Sequence, residues 1–310
     1  MDVLRFNIHT PVVCNDKITA CIGYFDGLHK GHQQLVRKVV DIAKQNNTIP
    51  ALITFDPDPW VVVKKLRNIP HLTPMKYRQE IGEQLGIKKW IILDFQKDMA
   101  NLSYEQFHEL VLKPLNINTL VCGYDFHYAH RGEGNVKTLL KQSYFNVEVI
   151  DEIASEDEKI SSTRIERLVK EGDMEKVTWL MGRVYELCGV VKSGNRIGRK
   201  YGFPTANLKL CNSYVLPKCG VYIGKVLVKN RWYMAIINVG HNPSFNYQDN
   251  ISIEAYILDF NQMIYDMEVR YQFYAYLRDE KHFDGMDELK QQLTKDVASA
   301  RAYFQKEGNV

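Results

Sequence analysis

No stretch of this chain is apolar for long. Its hydrophobic runs, such as Trp90–Leu93, fall far short of the roughly 20 residues that a membrane-crossing helix needs, which predicts no membrane association. The opening residues MDVLRFNIHT hold no apolar stretch behind a basic start, so no export signal is expected and the predicted location is cytoplasmic. Charge of one sign is also scarce: 40 Lys and Arg stand against 37 Asp and Glu, a net of +3. That excess is too small for a surface that coats nucleic acid, but it leaves room for local phosphate sites. Paired cysteines are missing too. Cys14, Cys21, Cys122, Cys188, Cys211 and Cys219 form no CxxC pair and no zinc spacing, and they read as reduced thiols packed as small hydrophobes. The glycine motifs of nucleotide binding are absent in their common forms. Gly189 and Gly194 have GxxxxG spacing, but Asn195-Arg196 follows, and no GxGxxG trails a strand.

What is present is ordinary globular sequence, 45% hydrophobic and 25% charged. At about 150 residues per domain, 310 residues predict two domains. The first half alternates β-rich runs (18–22, 51–55, 90–93, 119–122, 147–150) with helical patterns (from about Gly31, then 76–85, 103–112 and 135–142). Leu35, Val39, Ile42 and Ala43 share one helical stripe, and Phe107, Leu110 and Val111 are expected to face inward. This rhythm predicts an α/β fold, a parallel sheet with helices on both faces. Glu171-Gly-Asp173 reads as a helix–helix turn, and the character changes near Met181–Arg183, which places the boundary at 182/183. Beyond it lie mostly strands and turns, including a hairpin of Val221–Val228 and Trp232–Ile237 around Lys-Asn-Arg. Val269, Tyr271, Phe273, Ala275 and Leu277 alternate as a half-buried strand does. Met286, Leu289, Leu293, Val297, Ala300 and Phe304 mark a long amphipathic helix with Asp284 as N-cap candidate. That order predicts an antiparallel β-barrel with a C-terminal helix.

The strongest local signal is Gly23-Tyr-Phe-Asp-Gly-Leu-His-Lys-Gly-His32, between a strand and a helix. In a parallel sheet this is the carboxyl edge, where ligands bind. His29 and His32 lie three apart, on one face of the first helical turn. Two imidazoles beside free N–H groups suit phosphate oxygens. The alternative is a glycine-rich turn with two surface histidines. Downstream, Ser161-Ser162-Thr163 precede the apolar stripe Ile165, Leu168 and Val169, and hydroxyls there can cap a helix or donate to phosphate. Asp125, in Gly123-Tyr-Asp-Phe126, could equally be a loop carboxylate.

The ten-residue block resembles the signature of the nucleotidyltransferase superfamily. With Thr54-Phe-Asp-Pro57, Gly123–Phe126 and Ile160–Thr163 it is similar to the bacterial FAD synthetase (FMN adenylyltransferase) module, over about 160 residues. That resemblance implies a Rossmann-like nucleotidyltransferase domain over 1–182. It implies that His29 and His32 hold the ATP phosphates, with Gly23, Phe25, Asp26 and Gly31 around them. Gly123, Asp125 and Phe126 would lie by adenine and ribose, and Ser161, Ser162, Thr163 and Arg164 would close on the phosphates. Three positions depart from the family pattern. Asp58 stands between two prolines where the family has His, and an acid there would repel phosphate. Glu166 replaces an arginine, and Ala129-His130 replaces Gly-Lys. His127, His130 and Arg131 are the nearby cations.

In the second half, Gly194 and Gly198-Arg-Lys-Tyr-Gly202 lead into Phe203-Pro-Thr-Ala-Asn207. Glycines allow close backbone approach, Arg199 offers charge, and Thr205 and Asn207 carry oxygens suited to Mg²⁺. A glycine-rich barrel turn is the plainer alternative. On a strand, Ile253, Ala255 and Ile257 point one way, so Glu254 points the other. The block is very similar to the riboflavin kinase signature, as are Leu216-Pro217, Asn238–Gly240 and Glu254–Asp259. The resemblance implies a six-stranded antiparallel barrel over 183–310. Glu254 would be the catalytic base, and Thr205 and Asn207 the metal ligands. Gly194, Gly198, Arg199, Gly202, Pro204, Asn238 and Arg278 would bind ATP and flavin.

Together the modules resemble the bifunctional prokaryotic riboflavin kinase/FAD synthetase family. The implied ligands are riboflavin, FMN and ATP with Mg²⁺, in a monomer or weak homo-oligomer without nucleic acid. The implied function is riboflavin phosphorylation followed by FMN adenylylation. A second reading, motivated by Asp58 and Glu166, is a kinase whose first module is impaired or specialised for one flavin form.

Overall fold

A computed structural model describes residues 1–10, 14–67, 69–151, 154–155, 158–192, 203–241, 251–306 and 308. Gly194, Gly198, Arg199 and Gly202 lie outside the described residues, as do 242–244. The chain divides into two compact units, Met1–Ser162 and Thr163–Val310.

The first unit is built on β1 (Asp2–Phe6), β2 (Ile18–Ile22), β3 (Ile49–Asp56), β4 (Lys89–Asp94), β5 (Ile117–Gly123) and, after the short hairpin β6 (His127–Tyr128) and β7 (Gly134–Asn135), β8 (Asn146–Ile150). Their order is β1-β4-β3-β2-β5-β8, every neighbour parallel. All five residues of β2 are buried because helices cover both faces. Ala20, Ile53 and Ile91 pack toward Phe107 and Val111. Cys21, Leu52 and Trp90 pack toward Val36 and Val39 of the helix Lys30–Asn46. The chain steps one way from β2 and the other way from β5, so their carboxyl ends flank a topological switch point.

Two local expectations fail here. Edge strand β1 was hidden, because Asp-Val-Leu-Arg-Phe alternates weakly and leaves Val3 exposed. Leu110 does not face inward but is 45% exposed. Residues His108–Leu112 form a π turn, whose wider winding changes which side chains face the sheet.

After the short ladder β9 (Ala154–Ser155) and β10 (Glu158–Lys159), the second unit opens with helices Ser162–Glu171 and Met174–Met181. They are joined through Gly172 at φ +87°. Six strands then close a barrel: β11 (Tyr185–Lys192), β12 (Thr205–Leu210), β13 (Gly220–Val228), β14 (Arg231–His241), β15 (Ile251–Ile257) and β16 (Glu268–Arg278). The order is β11-β12-β15-β14-β13-β16, antiparallel throughout. The expected hairpin turns at Lys229 and Asn230, both at positive φ, the backbone a two-residue turn needs. Ala235, Ile237, Tyr222 and Ala255 are wholly buried within the wall. The opposite face carries Val221, Ile223 and Ile236 against Ala300 and Phe304 of the helix Met286–Lys306. That helix begins one residue later than an Asp284 cap requires. The Asp284 backbone N–H instead donates to the Glu288 carboxylate at 3.3 Å.

Candidate active sites

At the switch point, β2 ends and the chain turns sharply before the helix Lys30–Asn46. Phe25 and Gly27 take left-handed conformations, φ 58° and 76°. The turn is braced from behind. The Asp26 carboxylate is buried and accepts from the N–H groups of Gly27, Leu72 and Thr73 at 2.8–3.0 Å. The Tyr24 carbonyl accepts from Arg78 Nη1 at 2.7 Å and Thr54 Oγ1 at 3.0 Å. A loop held this firmly presents backbone and imidazoles without reorganisation.

His29 is the helix N-cap: its Nδ1 accepts from the His32 N–H at 3.3 Å. That bond sets the neutral ring as the Nε2–H tautomer. The two imidazoles stack at 3.7 Å between centroids, and Phe25 meets His32 edge-on at 5.2 Å. A Cβ at Gly31 would come within 3.1 Å of the His29 ring and force that ring to shift. These residues line a cavity of about 300 Å³ with Gly23, Gly123, Asp125, Phe126, Ser161 and Ser162. Ser162 Oγ donates to the Asp26 carbonyl at 3.0 Å, tying the serine segment to the histidine loop.

Lys159 also lines this cavity, and the sequence reading missed it. Its ammonium pairs with the Asp125 carboxylate and sits 5.2 Å from the Tyr124 ring. Burial alone would lower its pKa, but the Asp125 bond and charge outweigh that and raise it, so the cation persists at neutral pH. A Lys two residues before a serine pair on a short ladder carries no motif of its own.

Several expectations are corrected. Asp26 is not among the residues that line this cavity; its carboxylate braces the loop. Asp58 is not among the residues that line it either. It is buried, caps the helix Pro59–Lys64, and accepts from the Trp60 N–H at 2.7 Å. Glu166 pairs with Lys170 at 4.0 Å. His127 joins the cavity lining, whereas Ala129 and His130 do not. Thr163 is exposed and Arg164 buried in the second unit's first helix.

The barrel site lies on the wall that faces the C-terminal helix. Cross-strand pairing puts Asn207, Glu254 and Asn238 in one row across β12, β15 and β14. Thr205 Oγ1 donates to Glu254 Oε2 at 3.1 Å. Thr205, Asn238, Glu254 and Arg278 line a cavity of about 260 Å³, closed by Phe283, Leu289 and Leu293. A further cavity of about 210 Å³ shares Thr205 and is lined by Pro204, Phe260, Met263 and Tyr265. Arg278 also makes a buried ion pair with Asp296, 2.7 Å from Nη2 to Oδ2. Among the described residues no cluster of three His, Cys, Asp or Glu side chains could hold a metal ion. The Thr205, Asn207 and Glu254 oxygens are nonetheless the donor type of Mg²⁺. The six cysteines are free thiols. Among the described residues no helix is long and apolar enough to cross a membrane.

A parallel sheet with an imidazole cradle at its switch point, together with a closed barrel carrying an Asn-Glu-Asn row beside Thr205, fits a two-site, nucleotide-dependent transferase. Family models agree: that for FAD synthetase matches residues 13–164 and that for riboflavin kinase matches 181–304. A bifunctional riboflavin kinase/FMN adenylyltransferase from Listeria monocytogenes is 35% identical over 96% of this chain and 98% of its own length. One from Bacillus subtilis is 34% identical over 93% of each. The crystal structure of a macrolide-efflux protein from Streptococcus pneumoniae superposes with a TM-score of 0.90 at 29% identity. It covers 97% of this chain and 99% of that one. The chain belongs to the bifunctional riboflavin kinase/FMN adenylyltransferase family.

Proposed function

We propose that the barrel cavities are the riboflavin kinase site and the sheet-edge cavity is the FMN adenylyltransferase site. The modules are then 183–310 and 1–182, and the chain makes FMN and then FAD at the cost of two ATP. The reading is carried by one observation: His29 and His32 share a cavity at the sheet edge, while Thr205 and Glu254 share a separate one on the barrel wall.

In the kinase, riboflavin would occupy the cavity under the C-terminal helix and ATP the smaller one that shares Thr205. Glu254 would accept the proton of the riboflavin 5′-hydroxyl as that oxygen meets the γ-phosphorus. The Thr205 hydroxyl steadies the carboxylate from the next strand. Thr205 and Asn207 would hold Mg²⁺, which when bound supplies charge neutralisation at the phosphates. Asn238 extends the polar row toward the flavin side chain.

In the adenylyltransferase, a terminal phosphate oxygen of FMN would attack the α-phosphorus of ATP, and pyrophosphate leaves. That oxygen is already a nucleophile, so alignment and charge do the work. His29, His32 and the N-terminus of a 17-residue helix face the phosphates. Gly23 and Gly31 admit them closely, and Lys159 adds a cation. Asp125 and Phe126 would lie by ribose and adenine. With both family models matched and bifunctional relatives aligned over nearly the whole chain, the impaired-module reading is not favoured. Pure protein incubated with riboflavin and MgATP should yield FMN and then FAD on separation of products. FMN with no FAD or pyrophosphate, under both oxidised and reduced flavin, would restore the impaired-module reading.

A further inference from the structure

Asp296 sits on the C-terminal helix, 2% exposed, and is not among the residues that line the cavity beneath that helix. Both of its oxygens are used. Oδ1 accepts from Arg278 Nε at 3.1 Å and from Gln292 Nε2 at 2.8 Å, and Oδ2 accepts from Arg278 Nη2 at 2.7 Å. Arg278 Nη1 donates in turn to the Asp279 carbonyl at 3.0 Å. All three guanidinium nitrogens are therefore fixed. Arg278 ends β16, pairs across the ladder with Val221, and lines the cavity read above as the riboflavin site. Leu289, Gln292, Leu293 and Asp296 follow i, i+3, i+4, i+7 spacing, one face of the helix. The carboxylate thus ends the same helix face whose two leucines wall that cavity.

We propose that Asp296 is a positioning residue for riboflavin. It holds the Arg278 fork flat against the cavity and holds the helix face at the distance the flavin requires. It does so through Arg278 and Gln292, without touching substrate. Neutralising it leaves a largely buried guanidinium without its counter-ion, so both walls of the cavity shift while the Thr205 side keeps its strand contacts.

The inference rests on the barrel cavity being the riboflavin site. Steady-state kinetics of FMN formation should show Asp296→Asn raising KM for riboflavin about tenfold with KM for ATP within about twofold. Gln292→Ala, a milder cut in the same network, should move the same constant about threefold in the same direction. A merely structural latch would lower the yield of folded protein or kcat and leave KM for riboflavin unmoved. That result in Gln292→Ala, or in a folded Asp296→Asn, overturns the inference, as does an equal rise in both KM values. Conversion of FMN to FAD by the same samples measures the intact first unit. If the wild type fails to phosphorylate riboflavin, the site reading itself falls; if it turns over normally and the variants match it, this inference alone falls.

Discussion

In the α/β unit the candidate site hangs from loops that leave the strands, whereas in the barrel unit it is set into the strands. At the sheet edge, ligand groups come from the turn after β2, the end of β5 and the segment before Ser162, and they converge where the order reverses. Each needs its own brace, which is why Asp26, Arg78 and Thr54 are spent on loop carbonyls and N–H groups. In the barrel, Asn207, Glu254 and Asn238 are aligned by the hydrogen-bond register itself. A loop site offers backbone donors for a highly charged ligand; a strand site offers fixed side chains for a proton transfer. The chemistry proposed for each matches its construction.

The sharpest way to break that contrast is Glu254→Gln. FMN formation should fall on the order of 10²–10⁴-fold, with riboflavin binding near normal and FMN conversion to FAD unchanged. Unchanged phosphorylation would remove the base from β15. His29→Asn is the mirror experiment: asparagine still caps the helix, but the imidazole is lost. FAD formation should drop about 100-fold while riboflavin phosphorylation holds. If both reactions fall together, the two sites are not separable as drawn.

A smaller effect separates bracing from binding at Asp58. Asp58→Asn should leave ATP KM for FAD synthesis unchanged, while Asp58→Ala should cost about 1 kcal/mol of stability through the lost cap, read as a lower denaturant midpoint. A clear fall in KM for ATP with asparagine would show that the acid repels phosphate after all. The smallest effect concerns His108, which meets the Tyr128 hydroxyl at 2.5 Å, and Tyr128 stacks on the cavity residue Phe126. Burial holds the His108 pKa below its usual 6.5. The unfolded chain therefore binds a proton that the folded one refuses as pH drops through that value, and stability falls with it. His108→Gln should flatten this acid limb in melting curves between pH 7 and 5; an unaltered slope would mean another group carries it.

Most of the fold could be read from the chain, because buried strands such as Ile18–Ile22 and Lys89–Asp94 are apolar on both faces and barrel strands such as β15 and β16 alternate. Edge strand β1 escaped because one exposed side dilutes its pattern, and Leu110 because a π turn breaks the helical count. At the sites, His29 and His32 were legible by spacing, and Thr205 and Glu254 through the resemblance to the riboflavin kinase signature. Asp26, Lys159 and Asp296 could not be placed, since Thr73 lies 47 residues from Asp26, Asp125 lies 34 from Lys159 and Arg278 lies 18 from Asp296 in sequence. Sequence shows that a carboxylate is there, but not whether a backbone, a cation or a substrate meets it.

Strand β15 carries Glu254, the proposed base, on one side and barrel packing on the other, with a period of two residues. Saturating it with substitutions should therefore yield a comb: changes at 253, 255 and 257 register in melting temperature, and changes at 254 in turnover. Natural drift is free to retune the catalyst without disturbing its scaffold, one tooth at a time.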